Sequence, residues 1–304
     1  MRGPQGGVDR HDTHPLSFGG RLGAAFAAYG QLCVGIDPHR WLLNEWGLPD
    51  TAAGARGFGL RVVDAAAGSV GIVKPQVAFF ERHGSAGFAA LEDTLAAARA
   101  AGLIIIADAK RGDLGTSVEA YGQAWLTPGG PLEADAMTIN AYLGLGALEA
   151  PIALAVRHGK GLFVLAATSN PEAVGIQTAT IAVGNRRGMS VAAGIVEDVI
   201  DRNRANDAAG HDTARSGALG VVIGATVDST AYGIDLDQLA AVAVPVLAPG
   251  FGHQGARFDQ LPSIYAAAAP FAVVCVSRSI LSAGPTRIAQ VIASQAREVA
   301  ECRA

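Results

Sequence analysis

The sequence predicts a single-domain α/β protein with the (β/α)8 barrel, or TIM barrel, architecture. Eight short apolar runs alternate with segments of helical pattern, and a chain of 304 residues fits one such barrel. This alternation favours a closed barrel over an open doubly wound sheet. The predicted strands span residues 32–37, 70–75, 103–107, 135–140, 162–169, 219–224, 244–250 and 271–276.

The segments between these strands are rich in alanine and carry apolar residues on one face, as surface helices of a globular protein do. In the first segment, Phe18, Leu22 and Phe26 repeat every four positions, and Ser17 is a candidate N-cap. The predicted helices span residues 17–29, 56–67, 85–101, 116–125, 145–157, 191–204 and 285–302.

The domain boundaries follow from composition. We expect residues 16–304 to form the barrel domain and the polar, glycine-rich residues 1–15 to form a flexible tail. Within the domain, residues 206–217 are rich in glycine, aspartate and other polar residues, which predicts an exposed loop.

The composition argues against several classes of protein. The net charge is −4 without a basic block, which argues against a nucleic-acid surface. No apolar run reaches the ~18 residues that a membrane helix needs, and the first residues lack the apolar segment of a secretory signal. Three scattered cysteines are too few for a disulfide framework or a zinc site. We therefore expect a globular protein of the reducing cytoplasm.

The most informative stretch is residues 103–113, a buried strand that ends in charge. Residues 103–107 are apolar and mostly β-branched, which is typical of a parallel strand covered on both faces. Asp108 and Lys110 follow, and if the strand geometry persists their side chains lie on the same face. The carboxyl ends of the strands, where this pair falls, are where barrels of this class carry out their chemistry.

Lysine usage supports a specific role for Lys110. The chain has 23 lysines plus arginines, but only three of them are lysines, so arginine supplies the ordinary surface charge. A lysine kept against this bias indicates a need for a compact ammonium that a guanidinium cannot replace. Lys74 also closes a predicted strand, whereas Lys160 lies just before one and is predicted to be a surface residue.

Two segments after the last two strands predict an anion site. Residues 249–255 read Pro-Gly-Phe-Gly-His-Gln-Gly after the seventh strand, and Arg278 follows the eighth. Phosphate sites of these barrels commonly form from the corresponding loops. Glycines let backbone N–H groups approach an anion, and an arginine adds charge-assisted contacts. His253 is predicted to be a surface residue of this loop.

Together these motifs resemble the orotidine 5′-phosphate decarboxylase family in its longer bacterial form. The central match is Asp-x-Lys-x-x-Asp at Asp108, Lys110 and Asp113. Other matching segments, in chain order, are residues 34–37, 73–76, 168–171, 249–255 and 277–279. The resemblance implies a homodimeric enzyme that needs no metal or cofactor. It would convert orotidine 5′-monophosphate into uridine 5′-monophosphate and CO2 in de novo pyrimidine biosynthesis.

The resemblance also implies a role for each matching residue. Lys110 would stabilise and protonate the ring carbon that loses CO2, while Asp108 would face the departing carboxylate. Lys74 would hold Asp108 and the ribose, and the partner subunit would supply Asp113. The implied substrate-binding residues are Asp37 for the ribose, Ser169 for the pyrimidine, Gln254 and Arg278 for the phosphate, and Pro249, Thr116 and Ser117 around them.

The chain departs from the family pattern at two positions after Asp113. Leu114 stands where isoleucine is usual, and Ser117 stands where a threonine is expected, with Thr116 beside it. A hydroxyl is present in either case, so the departures leave open which of the two residues makes the contact.

Three other functions remain open at this point. A magnesium-dependent sugar-phosphate enzyme of the same barrel group shares Asp-x-Lys-x-x-Asp. A Schiff-base aldolase would use Lys74 or Lys110 as nucleophile, although carboxylate neighbours stabilise an ammonium rather than the free amine. A non-catalytic barrel would bind the nucleotide and leave it unchanged.

Overall fold

The computed structural model describes residues 17–208 and 217–302. Eight parallel strands form a closed barrel in chain order, and β1 pairs with β8 to close it. The strands are β1 Leu32–Ile36, β2 Ile72–Pro75, β3 Ile104–Arg111, β4 Ala136–Ile139, β5 Gly161–Ala167, β6 Leu219–Ile223, β7 Val246–Pro249 and β8 Ala272–Val276. The predicted fold class is confirmed, and each predicted strand is present.

Helices lie between successive strands, and their apolar faces pack against the outside of the barrel. The α-helices are α1 Phe18–Tyr29, α2 Arg40–Glu45, α3 Ala52–Ala66, α4 Ala78–Glu81, α5 Gly84–Ala100, α6 Gly115–Leu126, α7 Glu149–Arg157, α8 Val174–Gln177, α9 Val191–Ala208, α10 Leu236–Ala241, α11 Leu261–Tyr265, α12 Arg278–Leu281 and α13 Ile288–Glu301. Short 3₁₀ turns span Leu145–Leu148, Pro171–Ala173, Phe258–Gln260 and Ala266–Phe271.

Some predicted boundaries are wrong for identifiable reasons. The predicted helix 56–67 begins earlier, at Ala52, because the Thr51 side chain accepts a hydrogen bond from the N–H of Gly54 at 3.2 Å and caps the first turn. The predicted loop 206–217 is wrong at its start, since α9 continues through Ala208. Residues 209–216 and the predicted tail, residues 1–15, lie outside the described residues.

Helix α1 closes the amino-terminal end of the barrel. Ser17 caps it, as predicted, by accepting a hydrogen bond from the N–H of Gly20 at 3.2 Å. Phe18 reaches into the barrel, where its ring meets Phe163 edge-on with centroids 5.9 Å apart. A Cβ at Gly161 would lie 2.4 Å from the Phe18 ring, so glycine is required for this approach. With one end filled by α1, the carboxyl ends of the strands are left open for a site.

Lys160 is buried, and the prediction of a surface position is wrong. Its Nζ lies 2.6 Å from Oε1 of Glu133 and 3.9 Å from Oδ1 of Asp135, and Asp135 also pairs with Arg21 of α1. Burial would raise the pKa of Glu133, but the hydrogen bonds from Lys160 and from the N–H of Gly129, together with the positive charges of Lys160 and Arg99, lower that pKa below its ordinary value. The lysine thus belongs to an ion-pair network that ties α1 to the loops before β4 and β5.

The cysteines of β1 and β8 are core residues, as predicted. Cys33 and Cys275 are buried free thiols at paired positions of the two strands. Burial, together with a hydrogen bond to Cys275, raises the pKa of the Cys33 thiol well above its ordinary value. Among the described residues, no helix is long and apolar enough to cross a membrane.

Replacing Lys160 by Met is expected to lower the free energy of unfolding by about 3 kcal/mol, because the Glu133 carboxylate loses its buried cation and Asp135 is left with Arg21 alone. Chemical denaturation measures the loss. Arg56→Met is the matched control, since Arg56 pairs with Asp93 but both side chains are about half exposed. The control should lose less than about 1 kcal/mol. Equal losses in the two variants would contradict a structural role for the Lys160 network.

Candidate active site

A cavity of about 570 Å³ opens at the carboxyl ends of the strands. Eight residues predicted from the sequence line it: Asp37, Lys74, Asp108, Lys110, Ser169, Pro249, Gln254 and Arg278. Apolar side chains of Leu165, Val222 and Leu247 form its floor. The cavity therefore combines an apolar base with charged groups at the rim, as small-molecule sites commonly do.

The centre of the site is the Asp108 carboxylate, which lies between two ammonium groups. Nζ of Lys74 donates to Oδ2 of Asp108 at 2.7 Å, and Nζ of Lys110 donates to Oδ1 at 2.5 Å. The side chains of Lys74 and Asp108 are 11% and 9% exposed, whereas that of Lys110 is 45% exposed toward the cavity. Lys110 is therefore the member of the network that a ligand can reach.

Two residues that sequence reasoning missed complete the hydrogen bonding of Asp108. The hydroxyl of Thr138 on β4 donates to Oδ1 at 2.9 Å. The Gln76 amide, with its nitrogen turned toward Asp108, donates to Oδ2 at 2.6 Å. Each carboxylate oxygen thus has two donors. The available signals were a hydroxyl in an apolar strand, and a glutamine two residues after Lys74.

Asp108 and Lys74 each keep the other charged. Burial alone would raise the pKa of Asp108, but the charges of Lys74 and Lys110 outweigh it and hold that pKa well below its ordinary value. Burial alone would lower the pKa of Lys74, but the Asp108 carboxylate, and then Asp37, raise it above its ordinary value. At neutral pH the site therefore holds an anion enclosed by cations.

The side chains of Asp108 and Lys110 meet through an irregular strand. β3 extends to Arg111, but its pairing with β4 shifts register between Ala107 and Arg111. Lys110 has φ of 47°, which is left-handed backbone. The prediction that regular period-two geometry places the two side chains together is therefore wrong in its geometry, although their proximity is confirmed.

The opposite side of the cavity offers groups for a polar, anionic ligand. The Arg278 guanidinium makes no hydrogen bond or ion pair with any residue in the described parts of the chain, and it lines the cavity opposite the loop after β7. In that loop Gly250 and Gly252 have φ of 120° and 73°, conformations that favour glycine. Gln254 accepts a hydrogen bond from the Ser169 hydroxyl at 3.0 Å. These groups lie together where the sequence predicts an anion site, and anion binding by them stays a prediction.

Asp37 and His39 lie beside this anion site. Oδ1 of Asp37 is buried and has no hydrogen-bond partner within the described residues, so it can accept from a ligand hydroxyl. His39, which sequence reasoning missed, packs its ring 4.2 Å from that of Phe79. Burial lowers the pKa of His39 despite the nearby Asp37 carboxylate, so its imidazole is neutral at pH 7.

Three predicted site residues do not line the cavity: Asp113, Thr116 and Ser117. The chain turns away at Gly112, where a Cβ would lie 2.6 Å from the carbonyl oxygen of Asn140. Asp113 then accepts a hydrogen bond from the N–H of Leu114 at 2.8 Å, and the two hydroxyl residues are exposed on α6. Within a single chain these residues are separate from the Asp108 network.

Comparison with known proteins gives the family. The model of the Orotidine 5′-phosphate decarboxylase / HUMPS family matches residues 30–290. The chain belongs to this family. An orotidine 5′-phosphate decarboxylase of Salinispora arenicola is 44% identical over 288 residues, which cover 95% of this chain and 98% of the relative. The corresponding enzyme of Corynebacterium glutamicum is 43% identical over 94% of this chain and 98% of the relative.

Solved structures of the orotidine 5′-phosphate decarboxylase family share the fold. A crystal structure from Streptomyces avermitilis, assigned to the same enzyme, superposes with a TM-score of 0.86 at 42% identity and covers 97% of this chain and 99% of that one. The OMP decarboxylase of Leishmania donovani gives a TM-score of 0.66 at 26% identity, covering 93% and 98% of the two chains. The magnesium-dependent alternative finds no support among these relatives.

The low pKa of Asp108 predicts how stability depends on pH. A carboxyl whose folded pKa is depressed contributes stability that is fully present above its unfolded pKa, about 3.9, and is lost as pH falls toward the folded value. The difference in unfolding free energy between wild type and Asp108→Asn should therefore be constant from pH 5 to pH 7 and shrink below about pH 4. Urea denaturation of both proteins from pH 7 down to pH 3 measures this difference in unfolding free energy.

Asp93→Asn is the control for this series, since Asp93 is an exposed carboxylate. The free energy of unfolding of Asp93→Asn should stay close to that of wild type at every pH. If the difference in unfolding free energy between wild type and Asp108→Asn were as large at pH 3 as at pH 7, or larger, Asp108 would not be a buried carboxylate stabilised by the two lysines.

Proposed function

We propose that this protein catalyses the decarboxylation of orotidine 5′-monophosphate to uridine 5′-monophosphate and CO2, a step of pyrimidine biosynthesis, without a cofactor. The observation that carries the proposal is the Lys74–Asp108–Lys110 network, with its exposed ammonium at a cavity that also holds Arg278, whose guanidinium has no partner among the described residues. The family and its curated relatives support the same reaction.

The chemistry requires a fixed positive charge at the reacting carbon. When CO2 leaves, the electron pair of the broken C–C bond stays on an sp² ring carbon, and no ring carbonyl is placed to delocalise it. A preorganised ammonium stabilises this charge directly. Nζ of Lys110 then donates a proton to the same carbon, which gives the product and leaves a neutral amine to be reprotonated from solvent.

Asp108 serves two purposes in this proposal. It holds the Lys110 ammonium at 2.5 Å, and its depressed pKa keeps it anionic next to the substrate carboxylate. Repulsion between the two carboxylates is relieved when neutral CO2 departs, so the like charge raises the ground state relative to the transition state. Lys74, paired with the other oxygen, compensates the buried charge.

The rest of the nucleotide is bound away from the reacting carbon. The Arg278 guanidinium and the Gln254 amide would bind the phosphate, together with the glycine-rich loop after β7. Asp37, with its free carboxylate oxygen, would accept from a ribose hydroxyl, and Ser169 would contact the pyrimidine beside Pro249. Binding energy from the remote phosphate can then hold the ring against Lys110.

A homodimer is the second part of the proposal, because it accounts for Asp113. Asp113, Thr116 and Ser117 lie outside the cavity of their own chain, at the start of a region with exposed apolar side chains. Those side chains follow β3 and β4 and include Leu114, Tyr121, Tyr142 and Leu143, which are 59%, 37%, 76% and 53% exposed. Burial of this apolar patch against a second copy would favour association and bring Asp113 to the partner's Lys110. The cytoplasmic location stays a prediction.

Removal of the Lys110 ammonium is expected to abolish turnover. Lys110→Ala should lower kcat by more than about 10³-fold, because the charge stabilisation and the proton donor are lost together. Uridine 5′-monophosphate binding should remain measurable by calorimetry. Lys110→Arg keeps a cation that does not release its proton near neutral pH, so it should also be inactive.

The loss of absorbance of orotidine 5′-monophosphate measures these rates, with and without excess chelator. The wild-type rate should be the same in both, whereas a magnesium-dependent enzyme would lose activity. Arg56→Met, on the exposed surface, is the control and should keep full activity. If Lys110→Ala retained more than a few per cent of the wild-type rate, the role given to Lys110 would be wrong.

Mixing two inactive variants tests the shared site. Lys110→Ala and Asp113→Ala are each expected to be inactive, but a mixed dimer would contain one site with both native residues. Subunit exchange should therefore restore activity up to about one quarter of wild type, from half of the dimers with one good site each. Mass spectrometry confirms the exchange. No rescue after verified exchange would contradict the sharing of Asp113.

A further inference from the structure

The Thr138 side chain connects the two key residues of β3. Its hydroxyl donates to Oδ1 of Asp108 at 2.9 Å and accepts from the backbone N–H of Lys110, also at 2.9 Å. Thr138 is 1% exposed, so water cannot readily replace these bonds. One hydroxyl thereby uses its proton for the carboxylate and its lone pair for the backbone of the lysine.

The Lys110 backbone needs such a partner because β3 bulges at this point. Ala107 pairs with Met137, whereas Arg111 pairs with Ile139, so four steps along β3 match only two along β4. Residues inside a bulge lose regular hydrogen-bond partners in the neighbouring strand. Lys110 lies inside it with φ of 47°, a conformation that side chains other than glycine rarely adopt unless the surroundings enforce it.

We propose that Thr138 is a positioning residue for the decarboxylation: its hydroxyl holds Lys110 in the left-handed conformation that directs the ammonium to the reacting carbon. The inference rests on the proposed function for its catalytic consequence, but its structural part stands on the geometry alone. A regular strand would place the Lys110 backbone N–H in the ladder with β4, whereas here the Thr138 hydroxyl takes the place of that ladder partner.

Thr138→Val and Thr138→Ser test the proposal. Valine keeps the shape of threonine but removes both hydrogen bonds, whereas serine keeps the hydroxyl. Because small displacements of a reacting group can cost up to ~10²-fold, kcat of Thr138→Val should fall by about 10- to 100-fold. KM and the Kd for uridine 5′-monophosphate should change by less than about threefold. Thr138→Ser should restore kcat to within about threefold of wild type.

Thr94→Val is the matched control for the loss of a buried hydroxyl. Thr94 is 0% exposed and donates to the carbonyl of Ala90 at 2.8 Å within α5, away from the cavity. It should leave kcat unchanged even if it lowers the melting temperature. Rates are expressed per site that binds uridine 5′-monophosphate, so partial unfolding does not count as lost catalysis.

Crystal structures of the two Thr138 variants separate this inference from the proposed function. In Thr138→Val, Lys110 should leave the left-handed region or its Nζ should lose the contact with Asp108, and in Thr138→Ser neither should change. A wild-type protein without decarboxylase activity would overturn the function and leave this structural test intact. An unchanged Lys110 in Thr138→Val, or equal losses of kcat in the valine and serine variants, would overturn the role of Thr138.

Discussion

The site depends on one carboxylate that is placed where a carboxylate is costly. Asp108 is nearly buried, and it stays ionised because two ammonium groups, a hydroxyl and an amide all donate to it. Two features of the strands bring the ammonium groups to this carboxylate. The bulge in β3 brings Lys110 to one oxygen, and the end of β2 brings Lys74 to the other. The strands β2, β3 and β4 of the barrel hold Lys74, Asp108 and Thr138 at one end of the sheet.

The barrel supports this centre by closing one end and opening the other. Phe18 of α1 and the Lys160 network fill the amino-terminal end, so the interior there is as closely packed as a core. The carboxyl end retains a cavity whose apolar floor is continuous with that core. The charged groups of the cavity therefore lie at the carboxyl ends of the strands, above this apolar floor.

Much of the fold and part of the site could be predicted from the sequence, and the reasons are physical. Strand–helix alternation predicts the barrel, and a barrel places the ends of its strands together, so Lys74, Asp108 and Arg278 could be placed at one cavity from their positions, whereas Asp37 was inferred from the family resemblance. Lys160 was misplaced because its partners, Glu133 and Asp135, are distant in sequence. Pairing between loops is not visible in local composition.

Thr138 and Gln76 were not predicted for a different reason. Thr138 and Gln76 act through the orientation of one hydroxyl and one amide, and a strand pattern shows only that a polar residue is present. The bulge at Lys110 depends on the register between β3 and β4, which no single segment encodes. Asp113 cannot be located at any site from one chain, because its predicted place is in another subunit.

The scarcity of lysine has a consequence for chemical modification. Of the three lysines, Lys74 and Lys160 have side chains 11% and 8% exposed and are held in ion pairs, whereas that of Lys110 is 45% exposed at the cavity. An amine-selective acylating reagent would thus meet one accessible side-chain amine on the folded protein, and it lies at the centre of the site. A reporter could therefore be attached at Lys110 alone, and a nucleotide bound in the cavity is expected to shield this amine from the reagent.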